Sequence, residues 1–186
     1  MRQRMLRARR SLSMAACLST GSNQERKGMD NMITIKMAAA DEAHTITRLM
    51  HEAFRHTTPP SSSLLETAEQ VHQQLASGNE LAAIALQNDE PAGMVRFQLK
   101  GDDLYFFRLS VDPGQQGKGI GRMLLEGLEQ YAVEHGIKAL TCRVRMEIEK
   151  NVRMYTSAGF QITKREIVER AGTEGIPTAY MKKELT

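Results

Sequence analysis

Apolar and polar positions along the chain follow two rhythms, one of period two and one of three to four. From Ile33 to Met37 every second residue is apolar, the pattern of a half-buried strand. Ile46, Leu49, Met50 and Ala53 then recur at helical spacing, with Asp41 placed as the cap. His56–Ser63, with Pro59-Pro60 and a run of serines, breaks that helix into a loop. A second helical stripe (Leu64, Ala68, Val71, Leu75) runs over residues 64–76 and stops before Gly78-Asn79. Strands are predicted over 81–86 and 94–99 and from Leu104 onward, with turns at Asn88–Pro91 and Gly101–Asp103. Asp112-Pro113 ends the third of these strands. Ile120, Leu124, Leu128 and Tyr131 form one face of the next helix. After Gly136 come a buried strand over 139–144, a helix over 147–158 stopped by Gly159, and strands over 161–167 and 178–182. Gly172 and Gly175 separate these last two strands.

The predicted order is β-α-α-β-β-β-α-β-α-β-β. Strand runs alternating with helices predict an α/β protein of mixed, α+β-like character, with helices on both faces of a mixed sheet. A chain of 186 residues suits one domain.

Residues 1–31 have no usable periodicity, so the domain is expected over 32–186. Residues 1–28 carry net +6, whereas the whole chain is +3, so residues 29–186 sum to −3. An Arg-rich, acid-poor start suits a mitochondrial presequence. An upstream extension, with the true start at Met29 or Met32, fits equally and is the reading we favour. The remaining domain is mildly acidic and gives no reason to expect a nucleic-acid partner. No apolar run approaches the ~20 residues of a membrane span. Cys17 and Cys142 lie far apart and the histidines form no ligand pattern, so neither a disulfide framework nor a metal site is expected. A reducing, cytoplasmic setting is the expectation.

Chemistry is concentrated where the third strand meets the helix after it. Residues 114–121 read Gly-Gln-Gln-Gly-Lys-Gly-Ile-Gly. A glycine turn opening a helix presents unpaired N–H groups at the positive end of the helix dipole, an anion site. Walker A fails twice: its first glycine falls at Asp112, and Gly119 stands where Ser or Thr is required. The dinucleotide fingerprint fails too, because its third glycine falls at Arg122 or Leu124. Gln116-Gly117-Lys118-Gly119-Ile120-Gly121 matches Gln/Arg-x-x-Gly-x-Gly/Ala, and so resembles the acetyl-CoA pyrophosphate loop of the GCN5-related N-acetyltransferases, the GNAT superfamily. Tyr155, Gly159 and Phe160 resemble the second cofactor-side motif of that superfamily, although Ile148 and Asn151 replace its Asn and Ala.

The resemblance covers the chain from about Ile33 to its end. It implies the GNAT fold, with a central, mostly antiparallel sheet of six to seven strands. It implies acetyl-CoA as cosubstrate, no metal, and a small-molecule or peptide amine as acceptor. The main chain of Leu109, Ser110 and Val111 would meet the pantetheine arm, and the amides of Gln116, Gly117, Lys118, Gly119, Ile120 and Gly121 the pyrophosphate. Charge would come from Lys118 or Arg122, although a solvated helix face is as good a place for Arg122. Asn151 would face the CoA groove.

Acetyl transfer through a tetrahedral intermediate expels a thiolate, and Tyr155 is the expected general acid. A tyrosine, with a reference pKa of about 10, keeps its proton at neutral pH. A main-chain N–H near Leu109 or Ser110 would stabilise the carbonyl oxygen. Many family members carry a base carboxylate where this chain has Phe107 and Arg108. Glu52, Glu66, Glu69, several histidines of the acceptor-side helices and a water chain remain open as the base. Strand alternation places Arg108 on one face with Phe106 and Ser110, where it needs an internal carboxylate or an acidic group on the acceptor. No cysteine or serine is placed for a covalent acyl-enzyme, so direct attack in a ternary complex is expected. A non-catalytic acyl-CoA-binding module is the alternative. A homodimer is possible, with Phe106, Phe107 and the last strands as apolar surface.

Overall fold

The computed structural model describes residues 32–169 and 174–185, so residues 1–31 and Gly172 lie outside the described residues. Seven strands form one sheet: β1 (Ile33–Met37), β2 (Leu81–Gln87), β3 (Glu90–Lys100), β4 (Asp103–Val111), β5 (Ala139–Arg145), β6 (Gln161–Val168) and β7 (Ile176–Glu184). Their spatial order is β1-β2-β3-β4-β5-β7-β6. Only β4 and β5 pair in parallel; the other neighbours are antiparallel. The described residues also form four α-helices: α1 (Ala43–Phe54), α2 (Ala68–Ser77), α3 (Ile120–Glu134) and α4 (Glu149–Ser157).

Alternation along the strands sends side chains to two cores. Ala82, Ile84 and Met94 join Ile46, Leu49, Met50 and Val71 of α1 and α2 on one face. Ala83, Val95, Phe97, Leu104 and Phe106 join Ile120, Leu124, Leu128 and Tyr131 of α3 on the other. The side chain of Tyr155 in α4 belongs to this second core, where the Phe106 ring meets Tyr155 and Phe160 edge-to-face, each at 5.6 Å.

Two helix starts differ from expectation. Asp41 does not cap α1; it lies within a 3-10 turn, Ala40–Glu42. The carboxylate of Glu42 accepts the Ala39 N–H at 3.0 Å instead, and is itself paired with Lys36. The second helix starts not at Leu64 but after Thr67, whose hydroxyl accepts the Gln70 N–H while Gln70 accepts the Thr67 N–H. Ser62–Leu65 is a separate 3-10 turn, and Leu65 is exposed.

The largest departure lies in β4. Val95 of β3 is the one residue between Met94 and Arg96, which pair with Ser110 and Phe107, so it opposes both Arg108 and Leu109. This is a β-bulge, and Arg108 adopts φ +57, left-handed for a non-glycine residue. The extra residue resets the alternation. Phe106 therefore lies on the same face as Leu109 and Val111, not with Arg108. It is 1% exposed and offers no dimer surface. Beyond the bulge β4 bends away from β5: their pairing runs only from Asp103–Ala139 to Phe106–Cys142. The β5 side of β4 after Phe106 thus has no strand partner.

Candidate active site

A cavity of about 320 Å³ opens where β4 and β5 part. Its lining comes from both faces of the sheet. Phe106, Leu109, Cys142, Ile148, Asn151 and Tyr155 line it on the α3–α4 side. Phe107, Arg108, Arg143 and Arg145 line it on the other side, with Phe54 and Ser62 from the end of α1 and the connection to α2.

Tyr155 is 6% exposed, and burial, with Cys142 beside it, raises its phenol above the ordinary value. The group is thus neutral and carries a proton across the whole physiological range. Cys142, which sequence did not place at the site, is 2% exposed, and burial pushes its thiol up to about 12. A thiol at that value is not a thiolate at neutral pH, so its presence in the lining does not make it a nucleophile.

The glycine loop lies at the start of α3. Asp112 Oδ1 accepts the Gly114 N–H at 2.9 Å and begins the turn. Gly119 caps the helix at φ +82, a conformation that favours glycine. The first bond of the helical ladder runs from Met123 N–H to Gly119 O at 3.0 Å, so the amides of Ile120, Gly121 and Arg122 precede it. A Cβ on Gly121 would stand 3.2 Å from Met154 Sδ, so its small size lets α3 approach α4 closely. Two lysines flank the loop: Lys118 bonds Gln115 Oε1 at 2.6 Å, and Lys150 of α4 bonds Gln116 Oε1 at 3.1 Å. Sequence reasoning missed Lys150, because only the fold brings α4 beside the loop. Arg122 is exposed and engaged with Glu126 one turn on, as for a solvated helix face.

The remaining candidates fall around these two features. Leu109 and Asn151 line the cavity with Tyr155. Val111 packs into the core against the start of α3. Ser110 is buried, and its hydroxyl donates to the Arg108 carbonyl at 2.9 Å, across the bulge.

Arg108 has an internal carboxylate. Its Nε donates to Glu66 Oε1 at 2.9 Å and its other nitrogen to Ser62 Oγ at 3.1 Å. The second oxygen of Glu66 accepts from Arg96, which is 2% exposed and also holds Glu80. Burial alone would raise Glu66, but the hydrogen bonds and charges of Arg96 and Arg108 outweigh it and hold the carboxyl below its usual range. Glu66 is therefore a structural anion clamped by two arginines. Among the described residues no aspartate or glutamate lines the cavity, and no cluster of three potential metal ligands occurs.

The family model for "Acetyltransferase (GNAT) family" matches residues 44–160, more than half of the chain. The chain is 28% identical over 138 residues to mycothiol acetyltransferase of Propionibacterium freudenreichii subsp. shermanii, covering 68% of this chain and 42% of that protein. It is 34% identical over 74 residues to the ribosomal protein bS18-alanine N-acetyltransferase of Escherichia coli K12, covering 40% of this chain and 50% of that one. The match thus spans about half, or less, of these curated relatives. Among solved structures, a Salmonella typhimurium protein named as an acetyltransferase and bound to acetyl-CoA superposes with TM-score 0.72 at 19% identity, covering 83% of this chain and 95% of that one. The Escherichia coli S18-alanine enzyme superposes with TM-score 0.67 at 24% identity, covering 82% and 94%. These likenesses show the fold, and residues 44–160 include the loop, the bulged strand and the tyrosine helix of this chain together. The chain belongs to the GNAT family of acetyltransferases.

Proposed function

We propose that the protein is an acetyl-CoA-dependent N-acetyltransferase that passes the acetyl group to a primary amine by direct attack in a ternary complex. The observation that carries this reading is that α4 joins the two features: Lys150 bonds Gln116 of the glycine loop, and Asn151 and Tyr155 line the cavity where β4 and β5 part. The residues present fit acetyl-CoA. The helix-start amides of Ile120 and Gly121, with Lys118 and Lys150, offer a pyrophosphate donors and positive charge. The unpaired side of β4 from Leu109 to Val111 offers main-chain groups to the pantetheine arm, and Asn151 lies along the same wall. When bound, acetyl-CoA supplies the activated acetyl thioester.

Tyr155 acts as general acid, giving its proton to the departing sulfur. A main-chain N–H at Leu109 or Ser110 stabilises the carbonyl oxygen. With Glu66 held by two arginines, the amine's proton passes to solvent water. Most of the rate enhancement then comes from positioning. A non-catalytic acyl-CoA-binding module is favoured by one observation, that no carboxylate among the described residues lines the cavity to serve as base.

Thiol release from acetyl-CoA across an amine panel separates the two readings. Turnover is expected, with Tyr155→Phe lowering kcat about a hundredfold or more and leaving acetyl-CoA binding intact. Acetyl-CoA binding without turnover on any amine would leave the module reading standing. A Tyr155→Phe variant at full rate would remove the tyrosine from the mechanism.

A further inference from the structure

The two sides of the cavity differ in charge. On the α3–α4 side the lining is apolar, apart from the groups already assigned to the thioester end. On the opposite side Arg108, Arg143 and Arg145 all line it, and no carboxylate among the described residues does. Strand alternation on β5 explains the division: Cys142 and Val144 enter the core, so Arg143 and Arg145 project to the other face. That face is the one from which an acceptor must enter, because α4 and the loop occupy the other.

Each arginine is held in place by a bond to a neighbouring protein group. Arg108 is fixed by Glu66 and Ser62, and Arg145 donates to the Pro59 carbonyl at 2.7 Å. Arg143 bonds Glu166 Oε1 through one nitrogen at 2.6 Å and lies 5.0 Å from the centre of the Tyr180 ring. Glu166 is shared with Lys164, 3.3 Å from its other oxygen, so one carboxylate serves two cations there. A guanidinium has five N–H donors, and its fork matches a carboxylate. Anchored cations at a cleft mouth are a preorganised anion subsite. They also disfavour a second positive charge in the cavity, and the amine that attacks must be neutral.

We infer that the acceptor is a small primary amine whose own molecule carries a carboxylate, as an α-amino acid does, with Arg143 and Arg108 receiving that carboxylate on the face opposite α4. This rests on the acetyltransferase reading above. The cavity, about 320 Å³, is at the small end for ligand sites and suits an acceptor of amino-acid size. The carboxylate offsets the arginines, and its attachment to the amine orients the nitrogen toward the thioester.

The test uses matched triplets: an α-amino acid, its carboxamide, and the amine lacking the carboxyl group, each followed by thiol release with the full chain. The carboxamide has the more acidic ammonium, so ease of deprotonation alone would favour it. The expected result is kcat/KM at least about tenfold higher for the acid than for either neutral analogue. Arg143→Gln is expected to abolish that preference by raising KM for the acid, with kcat at saturation and the acetyl-CoA melting shift kept; Arg143→Lys restores part of it. The Arg143 side chain is 37% exposed, so this substitution leaves the cores untouched. Equal use of the three compounds, or a preference for polyamines or for peptides without a nearby carboxylate, overturns the inference and leaves the acetyltransferase reading standing. Acetyl-CoA binding without transfer to any amine overturns both.

Discussion

Glu66 shows how one residue joins the core to the cleft. Its two oxygens divide between Arg96 inside the sheet and Arg108 at the bulge. Replacing it with glutamine removes the anion between two cations. The expected loss is about 1.5–3 kcal/mol, the range for a hydrogen bond to a charged group, because Arg96 keeps Glu80. Urea unfolding at pH 7 measures it. The folded pKa of Glu66 is depressed, so its stabilisation is present above the unfolded carboxylate value, about 4.3, and is lost as pH falls through the folded value. The Glu66→Gln penalty is therefore expected to shrink as pH falls from about 4.3 through the lower folded value. A penalty constant across that window would show that the charge is not what Glu66 contributes. The sign is opposite for Tyr155. Its pKa is raised by burial, so the phenol keeps its proton, and any alkaline fall in kcat below about pH 10 must come from another group. Among these residues, Tyr155 was singled out because its spacing from Gly159-Phe160 resembles the GNAT motif. Glu66 was not tied to Arg108, since 42 residues separate them and only folding joins them.

At the scale of elements, local chemistry decides where helices begin. Thr67 and Gln70 bond reciprocally, and Gly119 holds a left-handed conformation before α3. Thr67→Ala is expected to cost about 1 kcal/mol and to leave acetyl-CoA binding unchanged, since α2 packs on the face of the sheet opposite α3. Gly119→Ala imposes a left-handed alanine at about 1–2 kcal/mol and distorts the amides ahead of α3, so it is expected to weaken the acetyl-CoA melting shift as well. Equal effects of both variants on that shift would deny the loop its role. Asp41 and Leu64 stand outside the helices they were expected to open for a common reason: a 3-10 turn precedes each helix and takes up the residue expected at its start. The bulge on β4 was invisible for a different reason. Alternation counting assumes one residue per partner, and nothing in Phe-Phe-Arg-Leu-Ser announces an extra one.

At the scale of the whole molecule, the parting of β4 and β5 is the decisive event. A strand pair that stayed in register would close the sheet and leave no passage between its faces. The bulge ends the pairing after Phe106 and Cys142, and the freed main chain, the tyrosine and the arginines come to share one cavity. Saturating acetyl-CoA at about 100-fold over its Kd is expected to add about 2.7 kcal/mol, or a melting shift of about 5–10 °C for a chain this size. CoA is expected to act similarly, and ATP and NADH not to. A shift with ATP or NADH alone would mean that the loop serves another phosphate ligand.

Short-range physics was enough for the strand and helix order and for the glycine loop that opens α3, and the resemblance of Tyr155, Gly159 and Phe160 to the GNAT motif singled out Tyr155 as a candidate acid. Those features depend on the period of apolar residues, on glycine's access to positive φ, and on spacing within one motif, all of which are local in the chain. Tertiary structure alone decided the insertion of β7 between β5 and β6, the bulge at Arg108, the clamp on Glu66, the approach of Lys150 to the loop, and the arginine face of the cavity. Each of these depends on contacts between residues distant in the chain or on strand register, which is set by how two faces pack at once rather than by any single segment.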